Sequence, residues 1–116
     1  MTCFWDSMRR KLNLGIDNPG LVRELKEGNT KDISVLWNGS ELTAKQKDEN
    51  FEHVRDFDVG TIHRGYDCSI CDPFMILLCQ MKKVNIDHNY NGHVMKYTVL
   101  GAERTIVFSS DRGHIQ

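Results

Sequence analysis

The stretch from Asp72 to Met81 constrains this chain more than any other part of it. Asp72-Pro73 is a helix-opening pair, and Phe74, Met75, Ile76, Leu77, Leu78 and Met81 come after it almost without interruption. A helix that is apolar nearly all round has no face to offer water, so it must lie at the centre of the fold with other elements around it. After it the spacing of apolar residues changes from a helical period to a period of two. Val84 to Asp87, His93 to Val99 and Arg104 to Ser109 are predicted strands, with turns at Asn91-Gly92 and near Gly101. The turn Ser110 to Gly113 then delivers His114 onto a final short strand.

The half before the apolar helix reads as helical. Phe4, Met8 and Leu12 recur every four residues and share one face of a helix predicted from Phe4 to about Leu12, with Arg9, Arg10 and Lys11 mostly outside and Gly15 following as a stop. Asn18-Pro19 opens a second short helix that carries Leu21, Val22 and Leu25 and closes at Gly28. Ile33 to Trp37 is β-rich and runs into the turn dipeptide Asn38-Gly39. Thr43 and Gln46 form a capping-box pattern for a solvated helix from Ala44 to about Val54, touching the core through Phe51 and Val54. Asp56 to Cys71 is irregular. Helices before a strand meander predict an α+β domain, N-terminal helices packed on a C-terminal, mostly antiparallel sheet.

Composition excludes several classes. With 116 residues, 40% hydrophobic, 27% charged and two prolines, the chain is that of one folded domain rather than a disordered segment. Fifteen basic against sixteen acidic residues give a net charge of −1, which leaves no basic footprint for nucleic acid. The run Phe74 to Cys79 is far too short to cross a bilayer, and no apolar signal region opens the chain. The four cysteines are therefore expected as reduced thiols, and the sequon Asn38-Gly39-Ser40 as a turn.

Two residues at opposite ends carry the sharpest chemistry. Cys3 stands at the start of the first helix, where unpaired N–H groups and the helix dipole lower a thiol pKa and can face an oxyanion. His114 opens the last strand, and a helix-start cysteine with a distant strand histidine is how a cysteine protease builds its dyad. Gln116, two residues on, shares a strand face with His114 and could orient its ring. The competing constellation is Cys68-x2-Cys71 with His88-x4-His93, whose pair spacings suit a tetrahedral zinc site in a non-catalytic interaction domain, although the sixteen residues between the pairs slightly exceed the usual finger range. Cys79 reads as inert core, and His53 and His63 as solvated surface. Asp56, Asp58 and the stretch from Glu49 to Glu52 read as a solvated face.

Thr2-Cys3-Phe4-Trp5-Asp6-Ser7-Met8 resembles the nucleophile helix of ovarian-tumour (OTU) type deubiquitinases, in which the cysteine precedes bulky residues, a variable one, a small one and an apolar one. The helix through Ile76-Leu77-Leu78, the strand Val84-Asn85-Ile86 and the close at Gly113-His114 resemble that family's C-terminal half. Trimmed versions of the fold occur as papain-like proteases inside viral polyproteins, those of arteriviruses and toroviruses among them, and a torovirus-like protease is the preferred match. The resemblance implies a compact papain-like fold and a thiol protease with no cofactor, in which Cys3 is the nucleophile and His114 the base. It further implies a monomer acting in the host cytoplasm on the Gly-Gly tail of ubiquitin or a ubiquitin-like modifier, such as an interferon-induced one, and on a viral polyprotein site. The chain departs from the family pattern at two places. Met1-Thr2 stands where the family has Asp-Gly and one more residue, which implies a catalytic core trimmed from a longer polyprotein. Gln116 stands where the family commonly has Asp, Asn or Glu, leaving Asp111 as a substitute orienter.

Overall fold

The computed structural model describes the chain except Met1, Thr2, Gly65, Asp67, Arg112, Gly113 and Gln116, and gives Cys3, Asp111, His114 and Ile115 as backbone. The fold is α+β. In chain order it runs α1 (Cys3–Leu12), α2 (Asn18–Glu27), β1 (Leu36–Trp37), β2 (Ser40–Glu41), α3 (Ala44–Asp56), a 3-10 helix (Val59–Arg64), α4 (Pro73–Lys82), β3 (Asn85–Tyr90), β4 (His93–Thr98), β5 (Thr105–Asp111) and β6 (His114–Ile115).

The apolar helix α4 is central, as its composition demands. Every residue from Pro73 to Cys79 is buried, and each large apolar side chain withdrawn from water is worth about 1.5–3 kcal/mol. Asp72 caps it, accepting from the N–H groups of Phe74 and Met75, and Lys83 closes it in the left-handed conformation (φ 54°). Helix α1 ends at Leu12, as expected, but the stop is Asn13 rather than Gly15: Asn13 takes the left-handed turn (φ 54°), and Leu14 N–H closes back on the Arg9 carbonyl at 2.9 Å. Asp17, one residue before Asn18, caps α2 through the N–H of Gly20, and the capping box of Thr43 and Gln46 opens α3. Val54 is buried, whereas Phe51 is half-buried.

The strands form one six-stranded sheet in the order β2-β1-β4-β3-β5-β6. Both Asn-Gly dipeptides turn two-residue hairpins with positive φ at each residue, 50° and 82° at Asn38-Gly39 and 50° and 85° at Asn91-Gly92. These are the backbone angles that match strand twist, and they favour Asn and Gly. The predicted meander needs one correction. β5 does not lie beside β4: it crosses to the other edge of β3 and pairs with it in parallel, Asn85 with Thr105 through Tyr90 with Ser110. β6 then pairs antiparallel with β5, placing Ser110 opposite Ile115 and Asp111 opposite His114.

Alternation along the strands divides the sheet into a covered and an open face. Ile86, His88, Tyr97, Ile106, Phe108 and Ser110 are buried, whereas Val94, Lys96, Thr105, Val107 and Ser109 are exposed. Helix α4 lies against β3 and β4, and α1 lies against β5 and β6. Among the described residues, no helix is long and apolar enough to cross a membrane.

Candidate functional site

The helix that begins at Cys3 is fixed by the two aromatic residues next to the cysteine. Phe4 and Trp5 are buried, with ring centroids 4.7 Å and 5.5 Å from Tyr66, and Trp5 stands edge-on to Phe74 at 4.9 Å. Phe57 closes the same cluster, 5.9 Å from Trp5 and 5.2 Å from Phe74. The far end of α1 is tied to the sheet, where Lys11 donates to the Val107 carbonyl and stands over the Phe108 ring. Anchored at both ends, α1 packs along β5 and β6, so the helix opened by Cys3 and the strand opened by His114 are neighbours in space. The backbone register pairs Asp111 with His114. Gln116 lies outside the described residues.

The four residues of the zinc constellation do not come together. Cys68 and His88 are buried side by side, with Sγ 3.7 Å from Nε2. His93 is exposed where β4 leaves the hairpin, and the half-buried Cys71 thiol is near Asn50 instead. The separation has a simple cause: His88 lies mid-strand under the helices, whereas His93 comes after the turn at the sheet's end. Among the described residues, no three His, Cys, Asp or Glu side chains converge on a point that could hold a metal ion.

What the strands bring together is a polar cluster that residue spacing alone does not reveal. His88 Nε2 lies 2.6 Å from Ser110 Oγ, and Cys68 Sγ lies 3.6 Å from the same hydroxyl. Burial holds the His88 pKa below its ordinary value, so the ring is neutral at pH 7. Its Nδ1 is buried without a hydrogen-bond partner among the described residues. The tautomer protonated at Nε2 leaves only a lone pair unmatched there, not an N–H, and that is the less costly arrangement. Ile86, His88 and Tyr90 alternate along β3 and Ile106, Phe108 and Ser110 along β5, but the predicted strands stop at Asp87 and Ser109, short of the two residues that meet.

A second buried network fixes the loop before α4. Asp72 is fully buried, and its carboxylate accepts from the N–H groups of Phe74, Met75 and Ser69 and from the Tyr66 hydroxyl, all within 3.2 Å. Burial pushes this carboxyl up, while those donors pull it down; the first effect is the larger. The Tyr97 hydroxyl accepts from Asp72 N–H and donates to the Ile70 carbonyl, each at 2.9 Å. The same burial makes two thiols poor nucleophiles: Cys71 is pushed up to about 11, and Cys79 is raised further inside α4.

One bland reading needs adjustment. His53 is exposed, yet its ring meets Tyr66 and Phe74 edge-on at 6.1 Å and 5.8 Å. The acidic residues of α3 are solvated, with Asp56 paired to Arg55 at 2.8 Å, which lowers the Asp56 pKa. Compared with protein-family models, with curated proteins and with solved structures, the chain finds no match.

Proposed function

We propose that this chain is a cysteine protease of papain-like, OTU-type architecture that cleaves after the Gly-Gly tail of ubiquitin or a ubiquitin-like modifier. The observation that carries the reading is the packing of α1, which opens with Cys3, against β6, which opens with His114. Two residues from opposite ends of the chain thereby sit on neighbouring elements, and the motif around Cys3 is the one that resembles the family's nucleophile helix. The state of the other thiols supports the same choice, since Cys71 and Cys79 are held protonated and Cys68 is buried.

In this mechanism His114 takes the Cys3 proton, and the thiolate attacks the carbonyl carbon of the terminal glycine. The oxyanion is stabilised by N–H groups at the start of α1. Collapse breaks the C–N bond, His114 gives its proton to the leaving amine, and water hydrolyses the thioester to return the thiol. Asp111, which pairs with His114 in the β5–β6 register, is taken as the residue that orients the imidazole, with Gln116 as the alternative. No cofactor enters the reaction.

The test is turnover of ubiquitin bearing a fluorogenic amide at its C-terminus. The wild-type chain should release the fluorophore, and Cys3→Ala and His114→Ala should each lower kcat/KM by at least about a thousandfold. Turnover persisting in Cys3→Ala would sink the assignment.

A further inference from the structure

Ser110 occupies the last buried position described on β5, one residue before the Asp111–His114 pair. It is held twice. Its hydroxyl meets His88 Nε2 at 2.6 Å, and its carbonyl accepts from Asn91 N–H, in the β3–β4 turn, at 3.1 Å. In the register His88 faces Phe108, so its ring reaches diagonally along the sheet to the end of β5. β3, which carries His88, is paired on both sides, whereas β6 is a two-residue strand at the sheet edge. Apart from α1 packed against it, so short an edge strand has few backbone bonds to hold it closed, and such segments open far below the cost of global unfolding.

We infer that the His88–Ser110 hydrogen bond, with Cys68 packed against both groups, is a clamp that holds the β5–β6 hairpin on β3 and makes His88 and Ser110 positioning residues for His114. The positioning role rests on the reading of Cys3 and His114 as the reacting pair. A buried polar pair suits the task because it specifies distance and register. Sliding β5 along β3 would leave the imidazole and the hydroxyl buried and unmatched, whereas an apolar pair would tolerate the shift. The alternation around it agrees: Ile86 and Ile106 fill the covered face further back, and polarity begins where the hairpin must be fixed.

The experiment is hydrogen exchange by mass spectrometry on the full chain, with the pH midpoint of Cys3 alkylation by iodoacetamide read on the same proteins. Ser110→Ala should speed exchange across residues 109–116 by about fivefold, leave residues 85–98 protected, and move the Cys3 midpoint toward that of an ordinary thiol. Ser110→Thr, which keeps the hydroxyl, should restore both. Unchanged exchange over 109–116 in Ser110→Ala overturns the clamp, and so does equal acceleration over 85–98, which would make the bond a general core contact. If His114→Ala leaves the Cys3 midpoint unmoved, the reacting pair is what fails. The positioning role then goes with it, and the exchange data decide the clamp alone.

Discussion

Replacing Asp72 by Asn exchanges one carboxylate oxygen for an NH2 group with little change of shape, which makes it a sharp test of how the centre of the fold is held. The carboxylate receives donors on both oxygens: Phe74 and Met75 N–H on Oδ1, Ser69 N–H and the Tyr66 hydroxyl on Oδ2. An Asn side chain has one carbonyl oxygen. If that oxygen keeps the cap of α4, its NH2 faces Ser69 N–H and the Tyr66 hydroxyl. Tyr66 can rotate its proton away and accept, but the backbone N–H of Ser69 cannot. That part-buried donor then loses its partner, at about 1–3 kcal/mol, and the lost charge weakens the remaining bonds. Against this, Asn removes a charge from a fully buried site, which offsets part of the loss. The net expectation is about 1–3 kcal/mol of destabilisation, a sizeable share of the 5–15 kcal/mol typical of a domain. Asp72→Ala, which also abandons the cap, should cost about 3–6 kcal/mol. Urea unfolding monitored by tryptophan fluorescence reads the difference. With m of about 1–1.5 kcal/mol/M, the Asn midpoint should fall by about 0.7–3 M at unchanged m. A midpoint equal to or above wild type would overturn this expectation and mean that Asp72 is held protonated, its burial outweighing its donors.

Three further outcomes rest on the same geometry. His88 is held neutral, its folded pKa below the unfolded value of about 6.5, so its contribution is complete above that pH and is lost as acid protonates the unfolded chain first. Between pH 7.5 and 5.5 the wild-type urea midpoint should therefore fall more than that of His88→Gln, and equal falls would contradict the assignment. Lys26 reaches from α2 to donate to the Val54, Arg55 and Phe57 carbonyls at the end of α3. Lys26→Met keeps the aliphatic stem and should cost about 1–2 kcal/mol in thermal or urea unfolding. If Asp111 orients His114, Asp111→Asn should lower kcat for the ubiquitin amide by about tenfold or more, while Gln116→Ala leaves it near wild type; the reverse order would move the role to Gln116.

Much of this fold was readable from the sequence because the signals were local and agreed with one another. Asp72-Pro73 ahead of a run of apolar side chains admits only a capped, buried helix. Asn38-Gly39 and Asn91-Gly92 supply the positive φ that two-residue hairpins require. The errors arise where the deciding interaction is remote. Nothing near Thr105 indicates that its strand will cross to β3 and lie parallel, since the other edge of β4 is taken by β1, a strand from far earlier in the chain. Gly15 lost the role of helix stop to Asn13 because an asparagine tolerates the left-handed turn two residues sooner. At the candidate site, spacing grouped His88 with His93 as ligands. Strand alternation sends His88 instead under the helices to Ser110, a contact between residues that only the parallel β3–β5 pairing brings close. Cys3 and His114 were singled out on two separate motifs, and the element contact on the page is that of α1, which opens with Cys3, with β6, which opens with His114.

Whether Cys3 and His114 act as one reacting pair is decided by a covalent measurement. The full chain should be mixed with ubiquitin carrying a C-terminal alkyne warhead, with an interferon-induced modifier bearing the same group in parallel, and the adducts mapped by mass spectrometry. The expected result is a single adduct on Cys3 with at least one modifier, and its loss in His114→Ala. An adduct on Cys68, Cys71 or Cys79, or labelling of Cys3 that is indifferent to His114, would contradict the assignment of the pair.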